Sequence, residues 1–254
     1  MFVNTEGLVL REVRYKEADR ILTLLTPAYG KITVKARGAL RRSSRIAAAT
    51  QQLTWSDFVL FRNKERWSVN EASVKEDFAG LRGDLTALSL GCYAAECIDT
   101  VSVEDQPEPE LLQLALNMLY AVSQNTRPQA QLKAAFELRL ASLTGYMPDL
   151  RSCCVCGSEQ PEEPSFGSET GRICCRHCRP EAPGTQFYLG DEGLAAARYI
   201  VSAPAKRLFS FHVGEESLGR LSEAAEAYFI YSAGRRFGTL DYYRSLLALS
   251  GGKP

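Results

Sequence analysis

Histidine is almost missing from this chain of 254 residues: only His177 and His212 occur. A Cys–His nucleophile pair would need Cys92 or Cys97 to reach one of them. Both cysteines fall at helical positions that suit small apolar residues, so core packing accounts for them. There is no Gly-rich phosphate loop, no Ser-x-x-Lys, no His-Glu-x-x-His and no paired-carboxylate motif. The expectation is therefore a protein that is not an enzyme. No stretch of eighteen apolar residues exists, so no segment is expected to span a membrane. The first residues, MFVNTEGLVLREVRYKE, lack a basic region followed by an apolar run, which points away from secretion and towards a reducing cytoplasm. Net charge is also absent, at zero. Aromatic residues are present, and nothing in the composition signals disorder.

What is present is enough apolar content, 45%, for one large domain or two to three small ones. The zero charge hides an asymmetry. Residues 1–80 hold fourteen Lys/Arg against nine Asp/Glu, whereas residues 81–150 hold four against nine. A basic region followed by an acidic one suggests that the first meets a polyanion. Five candidate strands lie in residues 1–76: Gly7–Arg14, Arg20–Thr26, Lys31–Arg37, Leu53–Phe61 and Arg66–Val74. Lys31–Arg37 alternates strictly, with Ile32, Val34 and Ala36 on one face and Lys31, Thr33, Lys35 and Arg37 on the other. From Gly83 the period becomes helical: Leu85, Leu88, Cys92, Ala95 and Ile98, then Leu112, Leu116 and Leu119, then Leu132, Phe136, Leu140 and Leu143. It resumes through Asp191–Ser202, Glu216–Ala233 and Thr239–Leu249, with Lys206–Val213 unassigned after a break at Pro204. The fold class expected is α+β and multidomain. A small five-stranded barrel occupies residues 1–80, and a helical domain over 81–254 is interrupted at 149–184 by a cysteine module.

That module is rich in Cys, Gly, Pro and Glu and too poor in apolar residues to build its own core, so it needs a staple. Cys153 and Cys156 form one Cys-x2-Cys pair, Cys175 and Cys178 another, eighteen residues apart. Each pair lets two thiolates converge on an ion, and two pairs complete a tetrahedron with Zn–S near ~2.3 Å. Four protein ligands leave no open position, so one zinc ion, Zn2+, would be structural. Gly157 and Gly171 are candidate hinges of the two knuckles. Cys154 or Cys174 stands ready to replace a neighbour, and His177 is a weaker candidate.

The second pattern is basic. Lys31, Lys35, Arg37, Arg41, Arg42 and Arg45 are crowded into a stretch where Asp19 is the one acid between residue 18 and Asp57. The segment from Gly38 to Arg45 reads as a mobile loop that continues the strand's cationic face. Such a stripe can follow a phosphate backbone, and a barrel face beside a basic loop suits single strands. A solvated strand face explains the same charges. No aromatic stacking platform stands out among Tyr15, Tyr29, Trp55, Phe58, Phe61 and Trp67, of which both tryptophans fit a core equally well.

The order of four segments is specific: Gly7-Leu-Val-Leu, Glu17-Ala-Asp-Arg-Ile, Thr26-Pro-Ala-Tyr-Gly-Lys and Ala36-Arg-Gly-Ala-Leu-Arg-Arg-Ser. With the Cys-x2-Cys-Gly…Cys-x2-Cys insert and Gly238-Thr-Leu-Asp-Tyr-Tyr, it resembles the bacterial RecO family of recombination mediators over nearly the whole chain. The resemblance implies an N-terminal OB-fold, a helical domain and a zinc module. It implies binding of single- and double-stranded DNA, annealing of complementary strands, and help in loading RecA onto strands coated by the single-stranded DNA-binding protein. It also implies RecR as partner, a cytoplasmic, nucleoid-associated location, and DNA contacts at Lys35, Arg37, Arg41 and Arg42. The doubled cysteines depart from the family pattern. The competing reading is another zinc-ribbon factor that acts on nucleic acid in transcription or on RNA.

Overall fold

The computed structural model describes residues 1–249 and 251. The end of the expected helical domain, residues 250 and 252–254, lies outside the described residues. Five strands, β1 (Phe2–Tyr15), β2 (Asp19–Thr26), β3 (Gly30–Ala36), β4 (Trp55–Asn63) and β5 (Arg66–Glu76), close into a barrel in the order β1-β2-β3-β5-β4. Only the β3–β5 pairing is parallel. This is the five-stranded OB barrel. β1 is long because it serves two neighbours: Phe2–Leu8 pairs with β4 and Leu8–Tyr15 with β2. A bulge between Val9 and Arg11 bends the strand where it changes partner. Strict alternation puts Ile32, Val34 and Ala36 inside, against Val9, Leu22, Leu24, Phe58, Leu60 and Trp67. Removing a side chain of Phe58's size from water contributes roughly 1.5–3 kcal/mol.

The segment expected as a mobile loop is instead a run of hydrogen-bonded turns. Leu40 N–H donates to the Ala18 carbonyl at 2.9 Å, Ser44 to Arg41 at 3.0 Å and Thr50 to Ile46 at 3.1 Å. The reason is apolar: Ala39 joins the barrel core and Ile46 packs against it. Arg20 adds a clamp, its guanidinium donating to Ala47 O at 2.8 Å and Thr50 Oγ1 at 2.9 Å.

The chain divides into two compact units, residues 1–124 with 239–243 and residues 125–238 with 244–254. The first joins the barrel to α1 (Leu85–Val101) and α2 (Pro109–Ser123). Asp84 caps α1 by accepting from Thr86 N–H and Ala87 N–H. Cross-strand partners Leu8 and Leu25 point out of the barrel yet are fully buried, because α1 packs on β1. Gly30 sits at φ +62°, and a Cβ there would fall 1.8 Å from the Gln106 carbonyl oxygen. Only glycine lets the 104–106 segment reach β3, where Asp105 N–H donates to Lys31 O at 3.0 Å.

The second unit is built on α3 (Gln129–Leu143), with α4 (Gly190–Ser202) and α5 (Glu215–Ala233) packed against it. α6 (Gly238–Leu249) is divided between the units. The sequence pattern suggests one apolar face on α3, whereas the structure buries the helix nearly all round, Lys133 and Glu137 included. These charges tolerate burial because they are paired. Lys133 Nζ lies 3.0 Å from Glu137 Oε1 and 2.7 Å from Glu226 Oε2, and Arg244 also pairs with Glu226. The stretch after Pro204 is a short 3-10 turn, Ala205–Arg207, followed by coil. Buried Gln131 holds that coil, donating to the carbonyls of Phe209 at 3.2 Å and Phe211 at 2.7 Å.

Between α3 and α4 lies a small sheet of β6 (Asp149–Cys153), β7 (Ser165–Gly167), β8 (Arg172–Cys174) and β9 (Gln186–Tyr188), ordered β6-β8-β7-β9. Strands of three residues are too short to show alternation in sequence. Leu150, Phe166 and Leu189 line one small apolar void together with Leu138, Ala197 and Leu221 of the helices, and Phe166 meets Tyr228 edge-on at 5.2 Å.

Candidate metal centre and nucleic-acid interface

Two knuckles converge in the cysteine module. Gly157, at φ +76°, turns the chain after Cys156, and Gly157 N–H donates to Cys153 O at 3.0 Å. In the second knuckle Cys178 N–H donates to Cys175 O at 3.1 Å. Gly171 is not part of a knuckle. Its φ of +64° precedes β8, and a Cβ there would press on Tyr228 Oη at 2.6 Å. The sulfurs of Cys153, Cys156, Cys175 and Cys178 all lie within 4.8 Å of one another. Cys175 Sγ is 3.9 Å from both Cys153 Sγ and Cys156 Sγ. A tetrahedron with metal–sulfur bonds of ~2.3 Å requires sulfurs about 3.8 Å apart. The four thiols can therefore hold a metal ion with little movement.

Electrostatics distinguish the neighbours. Burial pushes the Cys153 thiol up, but the backbone N–H groups of Cys156, Val155 and Cys175 outweigh it and bring the value to about 6. Cys174, by contrast, is pushed up to about 11 by burial, with the Cys154 and Cys153 sulfurs adding to the effect. It stays a neutral thiol that donates to Gln186 Oε1 at 3.3 Å. Cys154 is half-buried beside the cluster, and His177 faces outward towards Glu162 at 3.5 Å. Neither belongs to the converging set among the described residues.

The basic stretch is not uniform. Lys31 lies at the end covered by α1, where Nζ donates to Asp99 O at 2.6 Å and sits 3.4 Å from Asp99 Oδ1. Lys35 pairs with Asp19 at 3.0 Å, and its ammonium is 4.9 Å from the Tyr15 ring centre. Asp19 also accepts from Gly38 N–H at 2.9 Å, and this bond, followed by Lys35, holds its carboxyl below the usual carboxylate range. Asp19 thus fixes the root of the arginine-rich turns. Arg37, Arg41, Arg42 and Arg45 are exposed, and their side chains make no ion pair or hydrogen bond among the described residues. Exposed cations concentrated in one short segment raise the positive potential there.

On the outward face of β1, β4 and β5, Glu6, Asp57 and Glu71 border a shallow groove of about 540 Å³. Lys75 offsets part of that charge by pairing with Glu6 and Asp57. Of the aromatics weighed from sequence, Phe58 and Trp67 are core and Tyr29 packs on Trp67 at 5.1 Å. Tyr15 is exposed among the cations. Sequence reasoning named it but gave it no role, because its partners Lys35 and Asp19 come from other strands. No helix among the described residues is long and apolar enough to cross a membrane.

Known proteins resemble this chain over nearly its whole length. The family model of the recombination protein O N terminal region matches residues 1–78, and that of its C terminal region matches residues 82–241. A protein of Acetivibrio thermocellus called DNA repair protein RecO is 35% identical over 96% of this chain and 97% of its own length. The protein of that name from Symbiobacterium thermophilum is 30% identical over 96% and 97%. The one from Desulforudis audaxviator is 38% identical over 70% and 71%.

Proposed function

This chain belongs to the recombination protein O family, and from that premise we propose that it is a DNA repair and recombination mediator acting by binding alone. Single- and double-stranded DNA rest on the basic side of the barrel. Arg37, Arg41, Arg42 and Arg45 take phosphates, Lys35 joins them, and Lys31 borders the set while held by Asp99. Neutralised strands no longer repel, so complementary strands pair on the protein. With RecR, the chain then assists RecA loading onto single strands covered by the single-stranded DNA-binding protein. The reaction breaks no bond, and the setting is cytoplasmic, at the nucleoid. Cys153, Cys156, Cys175 and Cys178 hold one structural zinc that keeps residues 149–184 folded.

One observation supports this most: four exposed arginines on a closed barrel make no hydrogen bond or ion pair among the described residues. Strand annealing tests it. Complementary oligonucleotides should pair faster with the protein, with or without ATP and magnesium, and the gain should shrink as salt rises. Acceleration that requires ATP, or ignores salt, refutes the reading. A preference for RNA over DNA of the same sequence would favour the competing zinc-ribbon factor. Metal analysis after purification without added metal should return about one zinc per chain.

A further inference from the structure

Register sorts the residues of β1, β2 and β3 onto the two sides of the barrel wall. Leu22 and Val34 are in the core, so their neighbours Val13, Tyr15, Ile21 and Lys35 point outward. That outward face has two ends. At one, Leu8, Leu25 and Lys31 are covered or engaged by α1. At the other, Val13 is 49% exposed and Tyr15 42% exposed. A tyrosine ring and a valine left open on a strand face cost solvation without contributing to the barrel core. Cations surround them: Lys35 Nζ is 4.9 Å and Lys16 Nζ 5.6 Å from the centre of the Tyr15 ring. The bond from Leu40 N–H to Ala18 O brings the root of the arginine-rich turns against the turn that follows Tyr15. Asp19, the acid beside Lys35, is already committed to Gly38 N–H and Lys35.

We propose that Tyr15 is a base-stacking platform that lets this face bind single strands in preference to duplex, an inference that rests on the DNA-binding reading above. An unpaired base presents a π-face that can lie on the exposed ring. The phosphates on either side of that base meet Lys16 and Lys35, whose flexible stems let the ammonium groups leave the ring for a phosphate. A duplex hides its base faces and uses the cations alone. The apolar patch and its cationic rim thus match the alternation of base and phosphate along one strand. The arginines supply affinity for any DNA, and Tyr15 supplies the discrimination.

The test compares a labelled thymine oligonucleotide with a duplex of equal length at one fixed salt concentration. Tyr15→Ala should weaken single-strand binding about tenfold or more and change duplex binding less than about twofold. Tyr15→Phe should bind like wild type, and the salt slope should stay put because no ionic contact is lost. A second measurement needs no variant: an oligonucleotide carrying 5-iodouracil, irradiated on the wild-type chain, should form its adduct on the Tyr15 peptide. Equal weakening of both substrates, no weakening of either, or an adduct found only elsewhere overturns the stacking role. Wild-type affinity after Tyr15→Ala, combined with weak binding after joint replacement of Arg37, Arg41, Arg42 and Arg45, overturns stacking alone and leaves the face to a protein partner. If that arginine variant binds both substrates like wild type, the DNA-binding reading falls with it.

Discussion

The barrel closes around apolar side chains drawn from all five of its strands, whereas the sheet of residues 149–188 has no strand longer than five residues and rests on four cysteines and two helices. Both carry β-structure of similar strand number, yet only the first encloses enough apolar surface to stand without help. The second borrows: Phe166 and Leu150 face helical side chains, and the sulfurs hold the far side. Damage to the barrel should therefore spread through the barrel, while damage to the module should stay local and follow the metal.

The largest expected effect comes from Cys156→Ser. Structural zinc sites carry on the order of 10 kcal/mol of binding free energy, and three thiolates cannot keep it. Metal content should fall from about one equivalent towards zero, with amide exchange protection lost across residues 149–188 and kept in the barrel strands. Protection that survives in the module would show that its borrowed core suffices and would end the contrast. Next come two matched truncations. Phe58→Ala in the barrel and Phe166→Ala in the module should each cost about 3–5 kcal/mol in denaturant unfolding. They should part company in metal retention: Phe166→Ala should release zinc to a chelator faster, and Phe58→Ala should not.

The helices beneath the module bring a pH dependence through a buried ion pair. Burial alone would raise the carboxyl of Glu226, but Lys133 and Arg244 outweigh it and hold it below its ordinary 4.5. A depressed carboxyl stabilises fully above the unfolded value and loses that contribution as pH falls through the folded one. Glu226→Gln should thus cost about 1–3 kcal/mol at neutral pH. The gap to wild type should shrink as pH drops below about 4.5. A gap that stays constant from pH 7 to pH 3 would show that the carboxylate charge is irrelevant there. The smallest effect is at the helix start that follows the barrel. Asp84→Ala removes the cap of α1 and should cost about 1 kcal/mol, read as a modest drop in melting temperature with zinc content intact.

Much of this was legible beforehand because it depends on neighbours in sequence. Alternation through Lys31–Arg37 placed β3 and its inward face. A 3.6 period placed the α-helices of the described residues, although on α3 it did not show which side meets the core. Two Cys-x2-Cys pairs announced the cluster of four thiols that could hold a metal ion, because that spacing brings two thiols together.

What the tertiary structure decided depends on partners far along the chain. Cys174 and Cys175 are adjacent, and only folding turns one sulfur into the cluster and pairs the other with Gln186. Lys31 and Lys35 read alike on one strand, yet α1 brings Asp99 to the first and leaves the second beside Tyr15. Lys133 and Glu137, one turn apart on α3, tolerate burial because Glu226 arrives from α5 to pair with Lys133. Local pattern fixes which elements form, because backbone geometry and side-chain period act over a few residues. Which charges stay free is settled by long-range packing, because the field at a side chain depends on whatever folding brings within a few ångströms of it.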